Sequence, residues 1–401
     1  MLRFLNAGES HGKCLTAIVE GMPAGLPVEI SFVDTELRRR QCGYGRGARM
    51  AIESDRVEIT SGVRGGVTLG SPITLVVNNR DWENWQDVMG PEGPLRGAAA
   101  KALTRPRPGH ADLAGGLKYA QRDLRNILER SSARETATRV AVGALAKLLL
   151  REFGIDVFSW VETIGGVTWR APDDAAPERL HARAEKSPTR CPDKTTTTAM
   201  KRRIDEAKEE GDSLGGIFTV AVMGVPPGLG SHVQHDRKMD GRLAGALMGI
   251  QAIKGVEVGI GFEAGARPGS TVHDEIFYRK AGPPRPAHHW PSRHPLYRKT
   301  NRAGGIEGGM TNGETILLRA VMKPIPTLYK PLRSVDLRTK KQISAGVERS
   351  DVCAVPAASV VAEAVVAFTV ASAFLEKFGG DSLREVKKNA ASYIKQALTF
   401  F

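Results

Sequence analysis

With 401 residues, 41% of them hydrophobic, the chain can bury a sizeable core as two average domains or one large one. Its 57 Lys and Arg against 44 Asp and Glu give a net charge of +13 within a charged fraction of 25%, which points to anionic partners. Aromatic residues make up only 6% and the basic residues gather in no tail, which argues against nucleic acid as the primary partner.

From the N-terminus, residues 1–10 carry no long apolar run, so no secretory signal is expected. Runs rich in β-branched residues and bounded by Gly, Pro or Asn predict strands over 15–19, 57–60 and 73–77, and Asp34 is placed to cap a helix over 35–40. Helices are predicted over 134–153, 195–210, 242–253 and 357–378, with strands over 217–223, 256–260 and 315–321. The stretch 353–375 has the apolar character of a membrane span, but Glu363, its Ser and Thr residues and Pro356 predict a buried helix and no membrane. Because 134–153 and 357–378 are apolar round most of their circumference, they are expected to form a central layer. Residues 280–298, with their prolines and His288-His289, predict a long loop.

No GxGxxG follows a strand with an acidic residue at the right distance, and no P-loop sequence occurs, so neither nucleotide motif is supported. Cys14, Cys42, Cys191 and Cys353 form no CxxC pair and no zinc spacing, which suits a reduced cytosol and predicts no metal. With no low-complexity linker, residues 1–401 are expected to form one catalytic unit.

Five segments combine glycine, which lets backbone approach a ligand, with groups that bind anions or move protons. In Gly8-Glu9-Ser10-His11-Gly12 the glycines would expose the imidazole on a tight loop, although a lone histidine is more often structural. Arg38, Arg39, Arg40, Arg46 and Arg49, in the glycine-punctuated stretch 38–50, could make bidentate contacts to phosphate or carboxylate, or belong to a solvated basic loop. A rigid turn over 105–112 sets His110 among Arg105, Arg107 and Asp112. In 129–136, Ser131 or Ser132 could cap the next helix and leave N–H groups pointing at an anion; capping explains the serines but not the flanking Arg130 and Arg134. The fifth region spreads over 304–313, 323–327 and 349–351, where paired glycines could equally be close-packed turns.

Taken together, GESHG at 8–12, RRxxGYGRGxRM ending at Met50, RPGHAD at 107–112, RSSARETATRVA at 130–141, KGVEVGIGF at 254–262, GGIEGGMTNG at 304–313 and RSD at 349–351 closely resemble the chorismate synthase family, over nearly the whole chain. Members of that family eliminate phosphate, in a 1,4-anti sense, from 5-enolpyruvylshikimate 3-phosphate to give chorismate in the shikimate pathway. They require reduced FMN although no net oxidation occurs.

The resemblance implies that His11 protonates the departing phosphate, that His110 supplies a proton near the charged flavin ring, and that Asp351 helps deprotonate flavin N5. Ser10, Arg40, Arg46, Arg49, Arg107, Arg134 and Arg349 would bind substrate anions, Arg40 and Arg46 standing at positions assigned to pyridine nucleotide in relatives that accept it. FMN would be held by Arg130, Ser131, Ser132, Gln251, Ala252, Gly308, Lys323, Pro324, Ile325, Pro326, Thr327 and Arg349. Gln251 departs from the Asn or Pro more usual in the family, which bears on one side-chain contact to FMN. Arginines beside both histidine loops would disfavour a charged imidazole until anions bind.

The implied fold is of the α+β class, a β-α-β sandwich with central helices between antiparallel sheets. The implied assembly is a cytoplasmic homotetramer that receives reduced flavin from a separate flavin reductase, as bacterial and plant relatives generally do. The alternatives are an RNA-binding protein using the arginine loops and a flavin-free phosphate lyase or transferase.

Overall fold

Alternating burial builds the first sheet. The computed structural model describes residues 1–47, 54–172, 175–278, 295–348 and 350–400. Strands β1 (Arg3–Ala7), β2 (Cys14–Glu20), β3 (Val57–Ser61) and β4 (Ile73–Asn78) pair antiparallel in the order β1-β2-β4-β3. Leu15, Ala17 and Val19 of β2 and Ile73, Leu75 and Val77 of β4 are buried, so the period of two puts one apolar face on the interior. The second sheet consists of β5 (Asp156–Ile164), β6 (Val167–Thr168), β7 (Gly216–Met223), β8 (Ile253–Val258) and β9 (Ile316–Met322), antiparallel throughout in the order β8-β9-β7-β5-β6. Helix Pro177–Ala184 covers the outer side of β5, where Trp160, Leu180, Ala184 and Ala221 form a small cluster. Buried on both faces, β7 therefore reads as a continuous apolar run.

Eight helices complete the frame: α1 (Ile30–Gln41), α2 (Asp112–Lys118), α3 (Arg125–Ser131), α4 (Thr136–Arg151), α5 (Lys194–Glu209), α6 (Met239–Met248), α7 (Val355–Phe378) and α8 (Leu383–Leu398). Helix α4 lies on β2 and β4, α7 lies on β5 and β7, and the two pack on each other. The layers are thus sheet, helix pair, sheet, the α+β sandwich expected from the sequence. Gly143 makes the helix pair possible: a Cβ there would stand 2.4 Å from both Cα and Cβ of Ala364. Helix α7 is also the one described helix long and apolar enough to cross a membrane, and it is 78% buried inside the protein.

Some boundaries differ from expectation for clear reasons. Helix α1 begins at Ile30, so Asp34 is no cap; its carboxylate accepts the Val57 N–H at 2.9 Å and ties α1 to β3. A 3-10 turn, Ala133–Glu135, precedes α4. Most of the predicted 280–298 loop lies outside the described residues, while Leu296–Arg298 pairs with Ile276–Tyr278.

Glu363, fully buried on α7, organises an ionic cluster between the layers. Arg39 donates to both its oxygens at 2.8 and 2.9 Å, Lys147 and Ser159 each approach at 2.5 Å, and Arg190 at 3.2 Å. Arg39 and Lys147 also bind Glu36, and Arg39 binds Glu185. Arg39, grouped by sequence with the anion-binding arginines, is therefore spent on the interior. His181, Glu185 and Glu363 together have the makings of a cation site, but these cationic side chains already occupy the carboxylates. Burial pushes the Glu363 carboxyl up, but Arg39 and Lys147 outweigh it and hold the group well below its ordinary value of 4.5. Glu185 is held at about 2 by Arg39 and Arg190 against the same burial effect.

Gly143→Ala is expected to cost about 1–3 kcal/mol by forcing the central helices apart, measured as a lower urea midpoint. Carboxylates with depressed folded values stabilise the fold above their unfolded value and lose that contribution as pH falls through the folded value. The melting temperature should therefore fall as pH drops below 4.5 toward 2, and Glu363→Gln should flatten that acid-side slope while lowering stability at neutral pH. Equal slopes in the two proteins would remove Glu363 from the acid response.

Candidate active site

The His11 loop connects β1 to β2 and is fixed from α3. Glu129, fully buried on α3, accepts the His11 backbone N–H at 2.8 Å, and its two oxygens lie 2.9 and 3.0 Å from His11 Nδ1. Ser10 N donates to Glu129 O at 2.9 Å. Trp85 stacks on the imidazole with ring centres 3.9 Å apart, and Lys101 Nζ and the Arg125 guanidinium lie 3.9 and 5.1 Å from the indole. Arg125 Nη1 donates to Glu129 at 3.0 Å and Nη2 to Glu348 at 3.2 Å. Burial raises the Glu129 carboxyl, but the bonds from His11 and Arg125 prevail and hold it below its ordinary value.

Three arginines converge beside this loop. Asp55 receives Arg40 Nη2 and Arg134 Nη1, each at 2.6 Å, and Arg134 Nε donates to Asn79 at 2.9 Å. Asn79 in turn donates to the Gly12 carbonyl at 2.7 Å, which joins the arginines to the histidine loop. Burial pushes Arg40 down to about 10 in spite of Asp55, with Arg134 and Arg46 adding to the fall. Arg40 Nε is buried with no hydrogen-bond partner among the described residues. Such a donor favours a further anion.

The second histidine is built in a parallel way. His110 Nδ1 lies 2.6 Å from Asp112, which opens α2, and Arg107 donates to the same carboxylate through Nε at 2.8 Å and Nη2 at 3.1 Å. Asp112 is raised by burial but more strongly lowered by His110 and Arg107, and stays well below the usual carboxylate range. Gly109, at φ +77°, lets the turn lie against Lys323 and Pro326, and Lys323 Nζ donates to the Gly109 carbonyl. The expected dominance of arginines around both imidazoles is thus corrected: a buried carboxylate meets each Nδ1, and Arg107 Nη2 reaches His110 Nδ1 at 3.0 Å beside it.

Further hydrogen bonds tie the remaining segments to one another. Arg107 Nη1 donates to Thr327 at 2.8 Å, Ser350 Oγ to the Thr327 carbonyl at 3.0 Å, and Ser213 Oγ to Ile325 O at 2.7 Å. Asp351 is held by Arg46 at 2.7 Å and by the Gly47 N–H at 2.6 Å. Lys323 N donates to Ala252 O at 2.9 Å, and Gln251 Nε2 donates to Glu135, next to Arg134, at 2.6 Å. Gln251 Oε1 is buried without a partner among the described residues. Pro324 and Pro326 carry the chain between these anchors. Ser132 caps the 3-10 turn by accepting from Arg134 N at 3.3 Å, whereas Ser131 turns back to Ile127 O at 2.8 Å. The Arg130 guanidinium is taken up by the carbonyls of Gly8 and Asn6, each at 3.0 Å. Gly308 lies on a hairpin whose Gly309 carbonyl accepts from Met239 N at 2.9 Å. Arg49 and Arg349 lie outside the described residues.

The sequence reading gave no role to Asp55, Asn79, Trp85, Arg125 or Glu135, and placed Glu129 in a candidate segment without a function. Comparison with known proteins identifies the family and the fold. Residues 2–375 match the family model described as chorismate synthase. A relative named chorismate synthase from Pelobacter propionicus is 63% identical over 400 residues, covering 100% of both chains. One from Desulforamulus reducens is 60% identical over 387 residues, covering 96% of this chain and 97% of its own. A crystal structure of a chorismate synthase aligns over 100% of this chain and 99% of its own, with a TM-score of 0.79 and 46% identity.

Asp55→Asn would remove the carboxylate on which the buried Arg40 and Arg134 meet. The unfolding free energy in urea should fall by roughly 3–5 kcal/mol, and a loss below about 1 kcal/mol would show that Asp55 does not hold the arginine pair.

Proposed function

The chain belongs to the chorismate synthase family, and we propose how its residues divide the work of that reaction. The enzyme is a carbon–oxygen lyase that eliminates phosphate from 5-enolpyruvylshikimate 3-phosphate to give chorismate in aromatic amino-acid biosynthesis. The observations that carry the assignment of roles are two hydrogen-bonded sets, one joining the His11 loop through Asn79 to Arg134, Asp55 and Arg40, the other joining His110 through Asp112 to Arg107 and Thr327, with Arg46 held on Asp351.

The substrate brings two carboxylates and a phosphate. Arg40, Arg46 and Arg134, pre-arranged on Asp55 and Asp351, bind these anions, with Ser10 on the adjoining loop and Arg49 and Arg349 completing the set. His11, with Nδ1 engaged by Glu129, has Nε2 left to give a proton to the departing phosphate. Charge builds on that oxygen as the bond breaks, so the nearby guanidinium groups stabilise the leaving group more than the ground state.

A flavin is the family's cofactor, and reduced FMN is the form we assign. The donor set fits it: the ammonium of Lys323 reaches the His110 turn at the Gly109 carbonyl, and the adjoining pair Gln251-Ala252, with an unpartnered buried oxygen on Gln251, is tied to Lys323 through the Ala252 carbonyl. Ala252, the run Lys323 to Thr327, Ser131 and Ser132 would hold it, with Gly308 and Arg349. Arg130, its guanidinium committed to Gly8 and Asn6, would contribute by shaping the segment. When bound, reduced FMN lends an electron transiently, which makes loss of an unactivated allylic hydrogen feasible without net oxidation. His110, oriented by Asp112, supplies a proton on the cofactor side, and Asp351 accepts one there. We further read the enzyme as a cytoplasmic homotetramer served by a separate flavin reductase.

Anaerobic assay with the enolpyruvyl substrate should give chorismate only when reduced FMN is added; turnover without it would leave a flavin-free lyase. His11→Ala should keep FMN and substrate affinity and lose turnover by roughly 10²-fold or more, and normal turnover would remove His11 from the chemistry.

A further inference from the structure

We propose that Glu129 is a positioning residue of the reaction: with Trp85 it holds His11 in the tautomer that carries its proton on Nδ1 and leaves Nε2 directed to the substrate. The inference rests on the reading of His11 as the acid and extends it to residues to which the sequence assigned no role.

Three observations carry it. Glu129 grips His11 at two points, the backbone N–H at 2.8 Å and ring Nδ1 at 2.9 Å. Backbone and ring are therefore fixed to the same carboxylate, and χ rotation of the imidazole breaks a bond to a group with no access to water. An ionised carboxylate can only accept, so Nδ1 donates throughout: the charged ring gives its Nε2 proton to the departing phosphate and is left as the neutral Nδ1–H tautomer. Glu129 is in turn pinned by Arg125 Nη1 at 3.0 Å, which keeps it ionised and blocks a rotamer change. Trp85 closes one face of the imidazole with rings inclined by 23°, and Lys101 and Arg125 lie over the indole. The ring is thus clamped at one edge and one face, and its Nε2 edge is the part left for the leaving phosphate. His110 and Asp112 repeat the carboxylate–Nδ1 pairing within one turn, at 2.6 Å. Two independent chain geometries arrive at the same device.

Two measurements test this on the full-length protein. In ¹⁵N-detected NMR of the wild type, the neutral His11 ring should show the Nδ1–H tautomer; an Nε2–H tautomer would overturn the proposal whether or not any variant folds. Glu129→Gln should lower kcat by roughly 10- to 100-fold with KM changed by less than about threefold. In a His11→Ala background the same substitution should add less than about a twofold loss, because Glu129 acts only through His11. Multiplying losses in the double variant would assign Glu129 a separate role and end the proposal. Normal turnover of His11→Ala alone would instead overturn the acid assignment, leaving the tautomer measurement as the test of the pairing.

Discussion

Where the two central helices cross, Gly143 comes so near Ala364 that no side chain fits between them, and this contact fixes where everything else can go. The two sheets pack on opposite sides of this pair. The helix crossing also locates the N-terminal end of α4, which carries Arg134 and Glu135 in the turn just before it. Strand ends from both sheets meet that point: the His11 loop between β1 and β2, Asn79 after β4, Gln251 and Ala252 before β8, and Lys323 after β9. Register pairs Ile253 with Met322, so the last two arrive together. The site is a consequence of layer packing more than of any one loop.

Charge inside this frame is handled in two ways. Around Glu363 each carboxylate and cation finds its counterpart, and the cluster binds the layers without an opening for chemistry. Around Asp55 two buried guanidinium groups meet on one carboxylate, and Arg40 Nε has no partner among the described residues. The same residue types therefore serve stability in one place and, in the proposed reading, ligand capture in the other.

Much of the site was legible because its chemistry is bunched locally. Glycine, histidine and arginine crowd together at 8–12, 38–50 and 105–112, and strands such as β2 and β4 announce themselves by alternation. Partnerships across long separations left no such mark. Asp55 meets Arg134 across 79 positions and Glu129 meets His11 across 118, and neither acid differs locally from a surface carboxylate. Arg39 and Arg40 look alike in sequence, yet adjacent positions on a helix point about 100° apart. One faces Glu363 in the interior and the other Asp55 in the site. Similarly, α8 was overlooked because its amphipathic face is short of apolar residues, burying Leu383, Val386 and Ala390.

The disposition of the cations also bears on what the excess positive charge selects. Arg40, Arg107 and Arg134 are 3%, 8% and 5% exposed, so a polynucleotide backbone sliding over the surface could not engage them. A compact anion entering the site could. Each guanidinium has five donors, and the carboxylate that fixes it uses only some of them. Asp55, Asp112 and Asp351 thus hold the arginines against mutual repulsion in a set geometry, and Arg40 Nε keeps a donor with no partner among the described residues. An anion with several charged groups at defined spacing gains from all of these contacts without reordering the protein, whereas a single phosphate gains from few. Pre-pairing the arginines thus suits the proposed capture of a small, multiply charged substrate, and in that reading their fields favour the oxygen whose charge grows as phosphate departs.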